Sequence, residues 1–291
     1  MAKNKKQYTI GIDIGGTSMK AILFDGEKIL ADYSLGTPRD NLDHFMIMLQ
    51  ALVEPLQEKA DELKIKIEGV GLGVAGWIDY EEEKMLKSPN IPLIDGVKVG
   101  RLLSERIEMP VIMENDADCF VRAEALLGAG KKYNSVYGII IGTGIGGGWA
   151  VKGEIFKSRW GGSGEPGQMI IDFAEGMKLE TAYHKLTQNN PAQMAEEAYR
   201  GDILAERTFE EVGNFLGIAF ANIINIISPE IIIVGGGAVE SSNLFLTNAK
   251  KSMKKNIASD EARRKIKLEK GKLGNHAGAI GAALLFLNHK S

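Results

Sequence analysis

Residues 8–17 read YTIGIDIGGT, and this stretch predicts how the fold begins. Its first part is largely apolar and β-branched, which is typical of a buried strand, and Gly15 and Gly16 then predict a tight turn. Glycine N–H groups can approach a phosphate closely, Asp13 at the strand end can hold a hydrated Mg²⁺, and Thr17 can donate a hydrogen bond. Alone, the pattern fits equally well a glycine hairpin with a surface acid.

The combination of strand and glycine turn recurs in the second half of the chain. Residues 135–141 predict a strand, residues 142–144 read Gly-Thr-Gly, and residues 146–151 predict a second strand. The recurrence indicates two related domains that face a cleft.

The other predicted elements alternate strands and helices, which is typical of an α/β fold. Asp25 and Gly26 form a strong hairpin signal between two further strands. Strands are also predicted at 67–74, 110–113 and 230–234, and helices at 41–63, 116–127, 208–227 and 276–287. We expect a small N-terminal domain at 1–115, completed by the C-terminal helix at 276–291, and a large domain at 116–275.

Composition excludes several classes of protein. The chain has 291 residues and a net charge of −3, and its basic residues are spread out, which does not fit a nucleic-acid binder. No apolar stretch long enough for a signal peptide or a membrane span follows the lysine-containing residues 1–7, which we expect to form a short solvated tail. The single cysteine, Cys119, excludes a disulfide framework and a zinc cluster of several cysteines, and we expect it to be a buried helix residue. A cytoplasmic protein with a small-molecule ligand fits these features.

The second glycine segment is denser in glycine than a structural turn needs, so a closely bound ligand is a reasonable cause. Gly142, Thr143 and Gly144 belong neither to a Walker pattern nor to a dinucleotide loop that opens a helix. A third such turn, with Gly236 and Gly237, follows the strand at 230–234; taken alone, it is more often structural.

An acidic junction lies between the first two glycine segments. Residues 114–118 read Glu-Asn-Asp-Ala-Asp where a strand meets a helix, and Asn115 is an adequate helix cap. Phosphoryl transfer to an alcohol needs a carboxylate that accepts the hydroxyl proton, and Asp116 is suitably placed for that role. An acidic cap that stabilises the helix dipole is the alternative.

These motifs, in this order, resemble the ROK family of sugar kinases and repressors over nearly the whole chain. The matching segments are IGIDIGGTSMKAILFDG (10–26), ENDADCFVRAEALLGAG (114–130), IIIGTGIGGGWAVKGEIF (139–156), GEPGQM (164–169) and ISPEIIIVGGGAV (227–239). The resemblance implies a two-domain, actin-like ATPase fold of the ribonuclease-H type, with ATP and Mg²⁺ at the glycine loops and a sugar in the interdomain cleft.

The resemblance also assigns roles by position. Asp116 becomes the catalytic base, and Asp13 holds Mg²⁺ through water. The implied sugar-binding residues are Gly76, Asn90, Asn115, Glu165, Gln168 and Glu180, and the implied nucleotide-binding residues are Asp13, Gly15, Gly16, Thr17, Gly142, Thr143, Gly144, Gly236 and Gly237. Glu180 is matched across a deletion, so a solvated helix acid stays open as its alternative.

The chain departs from the family pattern at Gln168, where the family usually has a histidine that binds sugar and a structural zinc. The three cysteines that complete that zinc site in the family are also missing, so no zinc is expected. The four histidines, His44, His184, His276 and His289, are scattered along the chain and give no replacement ligand set.

The expected function is ATP-dependent phosphorylation of a hexose hydroxyl, glucokinase-like and at O6, with domain closure excluding water. A β-glucoside kinase, an N-acylhexosamine kinase and a non-catalytic sugar sensor stay open as alternatives. The family's repressors carry an added N-terminal DNA-binding domain, for which we expect no room before residue 8. The sequence leaves the sugar and the oligomeric state open, although a homodimer is the family expectation.

Overall fold

The computed structural model describes residues 6–157 and 164–287, which form two compact units. Unit 1 comprises residues 6–124, 157 and 273–287, and unit 2 comprises Ala125–Phe156 and Gly164–Lys272. Residues 116–124, which the sequence analysis assigned to the large domain, therefore group with unit 1. His289 lies outside the described residues.

Each unit is built on a five-stranded sheet, and the two sheets have the same strand order. In chain order the strands are β1 (Tyr8–Ile14), β2 (Ser18–Phe24), β3 (Ile29–Gly36), β4 (Ile67–Val74), β5 (Trp77–Asp79), β6 (Lys84–Lys87), β7 (Val111–Asn115), β8 (Ser135–Ile141), β9 (Ile145–Val151), β10 (Glu154–Ile155), β11 (Ile170–Asp172), β12 (Met177–Lys178), β13 (Ile231–Gly235) and β14 (Lys267–Lys270). The sheet order is β3-β2-β1-β4-β7 in unit 1 and β10-β9-β8-β13-β14 in unit 2.

The directions of the strands repeat as well. β1 is antiparallel to β2 and parallel to β4, just as β8 is antiparallel to β9 and parallel to β13. Each glycine loop therefore connects the central strand of a sheet to its hairpin partner, as the recurring pattern in the sequence indicated.

The helices supply the apolar layers against these sheets. They are α1 (Leu42–Glu62), α2 (Val99–Ile107), α3 (Asp116–Leu126), α4 (Leu179–Leu186), α5 (Pro191–Tyr199), α6 (Ile203–Ile227), α7 (Leu246–Asn256), α8 (Asp260–Lys265) and α9 (Ala277–Ala283). The core of unit 1 joins apolar residues of α1 and α2 to those of β1, β2 and β4. In unit 2 the core lies between the sheet and α4 to α7. Within the described ranges, no helix has both the length and the apolar character needed to cross a membrane.

The helix α9 lies with its backbone against β1, β4 and α3. A Cβ atom at Gly11 would collide with the carbonyl oxygen of Ala279, and one at Gly281 would collide with that of Cys119. Glycine is therefore required at both positions by close approach of the backbones. Cys119 is fully buried, as expected. This packing fixes the ends of β1 and the start of α3, which carry the candidate catalytic carboxylates.

Most predicted boundaries agree with the structure to within two residues, whereas those of two helices differ by more. The helix predicted at 208–227 begins earlier, at Ile203, because the side chain of Asp202 accepts hydrogen bonds from the N–H groups of Leu204 and Ala205 and caps it. The final helix ends at Ala283 and continues as a 3₁₀ turn over Leu284–Phe286.

Candidate active site

Asp116 and Asn115 lie where β7 ends and α3 begins. The Oδ1 atom of Asn115 accepts hydrogen bonds from Ala117 N at 2.8 Å and Asp118 N at 3.1 Å, so Asn115 is the helix cap that the sequence predicted. Its Nδ2 donates to the carbonyl oxygen of Gly76 at 2.9 Å. These bonds fix the Asn115 amide and bring the Gly76 backbone to the start of α3. The orientation of the chain at Asp116 is thereby fixed as well.

Asp13 at the end of β1 is the acidic neighbour of Asp116. Both side chains are partly buried. Burial is the main cause that raises the pKa of Asp116 to about 7 and that of Asp13 to about 6. The negative charge of Asp13 raises the pKa of Asp116 further, whereas Lys20 acts against the shift at Asp13. Such a carboxylate titrates near neutral pH and is suited to accept a proton from a bound alcohol.

Behind Asp116 lies a buried charged network centred on Glu114. Glu114 is fully buried, and its carboxylate accepts a hydrogen bond from the hydroxyl of Tyr80. Lys157 Nζ lies 2.7 Å from one carboxylate oxygen, and Arg122 Nη2 lies 3.5 Å from the same oxygen. The network neutralises a buried charge directly beside the junction of β7 and α3.

Asp118 completes this acidic cluster. It is 7% exposed, and burial, followed by the charge of Glu114, raises its pKa to about 8. Burial therefore raises the pKa of Asp118 as it does that of Asp116, and Lys157 and Arg122 act against the shift at Asp118.

The first glycine loop, residues 15–17, is anchored through its carbonyl oxygens. Thr37 Oγ1 donates to the carbonyl oxygen of Gly15 at 2.7 Å, and Thr37 N donates to that of Thr17 at 3.0 Å. Arg39 Nε donates to the carbonyl oxygen of Gly16 at 2.9 Å. A trans peptide unit directs its N–H away from its C=O, so Gly16 N and Thr17 N point away from the side chains of Thr37 and Arg39, whereas Gly15 N donates to the carbonyl oxygen of Ser18.

Asn90 lies beside this first loop. A Cβ atom built on Gly16 would lie 3.0 Å from Asn90 Cβ. Unit 1 thus brings together all the predicted site residues that it contains, namely Asp13, Gly15, Gly16, Thr17, Gly76, Asn90, Asn115 and Asp116.

The second glycine loop, residues 142–145, is anchored through an N–H group. Glu180 in the first turn of α4 accepts a hydrogen bond from Ile145 N, with Oε2 at 2.6 Å. Inside the loop, Gly142 N donates to the carbonyl oxygen of Gly144 at 2.9 Å. A Cβ atom at Gly142 would meet no atom within 4 Å, so packing within the protein does not explain why this residue is glycine.

The turn at residues 165–168 adjoins the same loop. A Cβ atom at Gly167 would collide with the carbonyl oxygen of Ile145 and would lie 3.2 Å from Glu180 Oε2. Gln168 is exposed, and its Oε1 accepts a hydrogen bond from Lys178 Nζ at 2.9 Å. Glu165 is partly buried at the start of this turn.

The third glycine turn follows β13 and lies beside the end of β8. Gly236 has φ +84°, and a Cβ atom on it would collide with the carbonyl oxygen of Ile141, so conformation and packing both require glycine there. Gly237 has open space around its Cα atom. Unit 2 therefore groups the predicted glycine-loop residues at the carboxyl ends of β8 and β13, namely Gly142, Thr143, Gly144, Gly236 and Gly237. Glu165, Gln168 and Glu180 lie beside the second loop.

Sequence reasoning missed several residues of this site. Thr37 and Arg39 follow β3 in a segment that has the composition of an ordinary polar loop. The backbone carbonyls that they bind lie 22 and 23 residues earlier in the chain. Tyr80 and Lys157 likewise join Glu114 from distant segments. The available signal was Glu114 itself, an acid directly after the apolar residues Val111 to Met113 of β7, because a buried carboxylate requires partners.

Several known proteins are similar to this chain over nearly its whole length. The N-acetyl-D-glucosamine kinase of Mannheimia succiniciproducens is 30% identical over 95% of this chain and 98% of its own. The xylose repressor of Bacillus subtilis is 26% identical over 98% of this chain and 79% of its own. Among solved structures, a ROK family glucokinase from Streptomyces griseus in complex with glucose and AMPPNP superimposes with a TM-score of 0.81 at 26% identity, covering 96% of this chain and 98% of that one.

The protein has the fold of solved ROK kinases, which is the actin-like ATPase architecture that the sequence predicted. The model of the ROK family matches residues 9–289, and the chain belongs to the ROK family.

Proposed function

We propose that this protein is an ATP-dependent sugar kinase that phosphorylates a hexose at O6, with Asp116 as the general base. The observation that carries the proposal is the state of Asp116, a partly exposed carboxylate with a pKa of about 7 beside Asp13. The named kinases among its relatives support the choice of reaction. The N-acetyl-D-glucosamine kinase, for example, aligns with this chain over 98% of its own length.

In the proposed reaction the Asp116 carboxylate accepts the proton of the sugar hydroxyl. The hydroxyl oxygen forms a bond to the γ-phosphorus of ATP while the bond from that phosphorus to the β–γ bridging oxygen breaks. The products are the sugar phosphate and ADP, and the proton on Asp116 returns to solvent. General-base catalysis of this kind contributes roughly 10²- to 10⁴-fold.

The residues around Asp13 fit a Mg²⁺ ion. Mg²⁺ is usually held by one or two carboxylates together with waters and substrate phosphates, so a dedicated cage of protein ligands is not needed. The described residues contain no cluster of three or more His, Cys, Asp or Glu side chains suited to a metal. Asp13, partly exposed and beside a second carboxylate, would hold the ion through water. When bound, Mg²⁺ neutralises charge on the β- and γ-phosphates.

The nucleotide is assigned to the glycine loops of both units. Gly142 and Gly237 support this assignment, because their Cα atoms adjoin open space in which a Cβ atom would meet nothing within 4 Å. Gly236 is explained by its own backbone, so its proximity to the nucleotide rests on the family assignment.

The sugar-binding role is assigned to Gly76, Asn90, Asn115, Glu165, Gln168 and Glu180. Three kinds of sugar are candidate substrates: a free hexose such as glucose, a β-glucoside and an N-acylhexosamine. The relative that acts by name on N-acetyl-D-glucosamine supports the N-acylhexosamine. The neutral Gln168, whose Oε1 accepts from Lys178, replaces the usual family histidine and offers an amide to any of these sugars.

A coupled assay of ADP release tests the proposal. The panel comprises glucose, mannose, fructose, allose, N-acetylglucosamine, N-acetylmannosamine and a β-glucoside, each with ATP and Mg²⁺. We expect saturable turnover with at least one hexose, and loss of that turnover in Asp116→Asn. Sugar binding in calorimetry without ADP release for any member of the panel would contradict the kinase assignment and favour a sugar-sensing protein, as the similarity to a repressor also allows.

A further inference from the structure

Glu180 occupies a position that a simple sugar ligand does not explain. Its Oε2 accepts a hydrogen bond from Ile145 N at 2.6 Å, a short distance typical of a bond to a charged acceptor. Ile145 is 2% exposed, so water does not readily replace this partner. The carboxylate therefore holds the last residue of the second glycine loop.

The same carboxylate also contacts the turn at residues 165–168. Its Oε2 would lie 2.9 Å from a Cβ atom on Gly144 and 3.2 Å from one on Gly167. Because neither glycine has a side chain, the loop and the turn both approach Glu180 at backbone distance. Three pieces of unit 2 thus meet at one carboxylate: the second glycine loop, the 165–168 turn and the first turn of α4.

We propose that Glu180 is a positioning residue for nucleotide binding, which braces the second glycine loop against the turn that carries Glu165 and Gln168. The inference rests on the proposed assignment of ATP to the glycine loops. With the bond to Ile145 N in place, the loop is already ordered before the nucleotide arrives. Without it, binding has to order the loop, and affinity falls.

Because Glu180 is both a charged group and a hydrogen-bond acceptor, its two properties have opposite effects on nucleotide affinity. A carboxylate beside a phosphate-binding loop repels the phosphates, so removal of its charge alone would strengthen nucleotide binding. Removal of the hydrogen bond acts in the opposite direction. Glu180→Gln loses the charge but keeps an oxygen that can accept from Ile145 N, whereas Glu180→Ala loses both.

The test is calorimetric titration of the whole protein with AMPPNP and Mg²⁺ in the absence of sugar. We expect Glu180→Ala to bind AMPPNP about 10-fold more weakly, and Glu180→Gln to bind with unchanged or slightly higher affinity. Glu175→Ala, an exposed acid on the hairpin before α4, is the matched control and should bind as the unmodified protein does. Thermal unfolding of each variant establishes that it is folded.

Steady-state kinetics extend the test. Glu180→Ala should raise KM for ATP more than it raises KM for the sugar, and Glu180→Gln should restore KM for ATP. The proposal is overturned if Glu180→Ala binds AMPPNP as tightly as the unmodified protein, or if both variants lose sugar affinity alone, as expected of a sugar ligand. Tighter binding by both variants would also overturn it, because the charge would then be the only contribution.

The titration separates this inference from the proposed function. AMPPNP binding that depends on Glu180, without turnover of any sugar, supports the inference while the kinase assignment fails. Turnover of a sugar with AMPPNP affinity indifferent to Glu180 does the reverse.

Discussion

The two glycine loops occupy equivalent places in two sheets of the same topology, yet they are anchored by groups of opposite polarity. Donors from Thr37 and Arg39 hold the first loop by its carbonyl oxygens. An acceptor, Glu180, holds the second loop by an N–H group. The repeated fold therefore determines where a loop stands, while local side chains determine the charge around it.

This difference has a consequence for phosphate binding. The anchor of the first loop adds a positive charge, and that of the second adds a negative charge. On the proposed assignment of ATP to the glycine loops, we therefore expect the γ-phosphate, which carries the most negative charge in ATP, to contact the first loop.

Asp116→Asn tests whether the chemistry belongs to the unit of the first loop. An amide cannot accept the hydroxyl proton, so we expect kcat to fall roughly 10²- to 10⁴-fold in the ADP-release assay, with AMPPNP affinity nearly unchanged. Asp32→Asn, on the exposed face of β3, serves as the control and should keep normal turnover. Near-normal kcat in Asp116→Asn would remove the base from this unit.

Asp118→Asn tests the buried charge of unit 1 through stability. The pKa of Asp118 is raised to about 8 in the folded protein from an ordinary value near 4, so the folded state binds the proton more tightly. The stability that this proton confers is present below pH 4 and is lost as the pH rises through 8. Asparagine is neutral throughout, so the variant should unfold like the unmodified protein at pH 4 and be more stable by several kcal/mol at pH 9, about 1.4 kcal/mol for each pH unit between the two pKa values.

Chemical denaturation at a series of pH values measures this difference. A variant that is less stable than the unmodified protein at pH 9 would show that the Asp118 carboxylate is needed in its charged form. The same measurement on Glu114→Gln is a useful companion. Glu114 has three charged or hydroxyl partners, so its replacement should destabilise the protein instead.

Arg39→Ala tests the charge of the first anchor. Loss of the guanidinium frees the Gly16 carbonyl and removes a positive charge beside the loop. We expect AMPPNP affinity to fall about 10-fold and ADP affinity to fall less, because the triphosphate carries more charge. Arg101→Ala is the control, since Arg101 is exposed in the same unit and pairs only with Glu105 among the described residues. Equal losses for AMPPNP and ADP would mean that Arg39 shapes the loop without favouring the γ-phosphate.

Thr37→Ala has the smallest expected effect. The Oγ1 hydrogen bond to the Gly15 carbonyl is between neutral groups, so its loss should weaken AMPPNP binding by about 3- to 5-fold. Thr37→Ser keeps the hydroxyl and should bind AMPPNP normally in the same titration. If serine and alanine behave alike, the hydroxyl has no part in ordering the first loop.

Much of the fold could be predicted because its signals are local. The strand at 67–74 and the strand at 135–141 follow from continuous apolar runs, and α1 follows from helical spacing, so all three agree with the structure. The ends of helices were predicted less accurately. The start of α6 depends on the capping side chain of Asp202 within a polar segment, which apolar periodicity does not register.

The candidate site was predictable only in part. Asp13, Asp116 and the glycine loops stand out because their residue types are unusual at the ends of buried strands. Their partners do not, since Thr37 reads as a loop hydroxyl and Lys157 as a solvated lysine until the fold brings each to its partner. Glu180 was predicted as a sugar ligand, and this role stays a prediction, but its bond to Ile145 N depends on how α4 packs.

The family, the alternation of strands and helices, and the positions of the glycine loops and of Asp116 could all be inferred from the amino-acid sequence. These properties reside in short segments, where residue type and spacing carry the information. The folded structure was needed to show which polar groups anchor each loop, which cations and hydroxyls surround Glu114, and how burial raises the pKa of Asp116. The physical reason is that hydrogen bonds and desolvation depend on distance in space, and the chain brings residues together that are far apart in sequence.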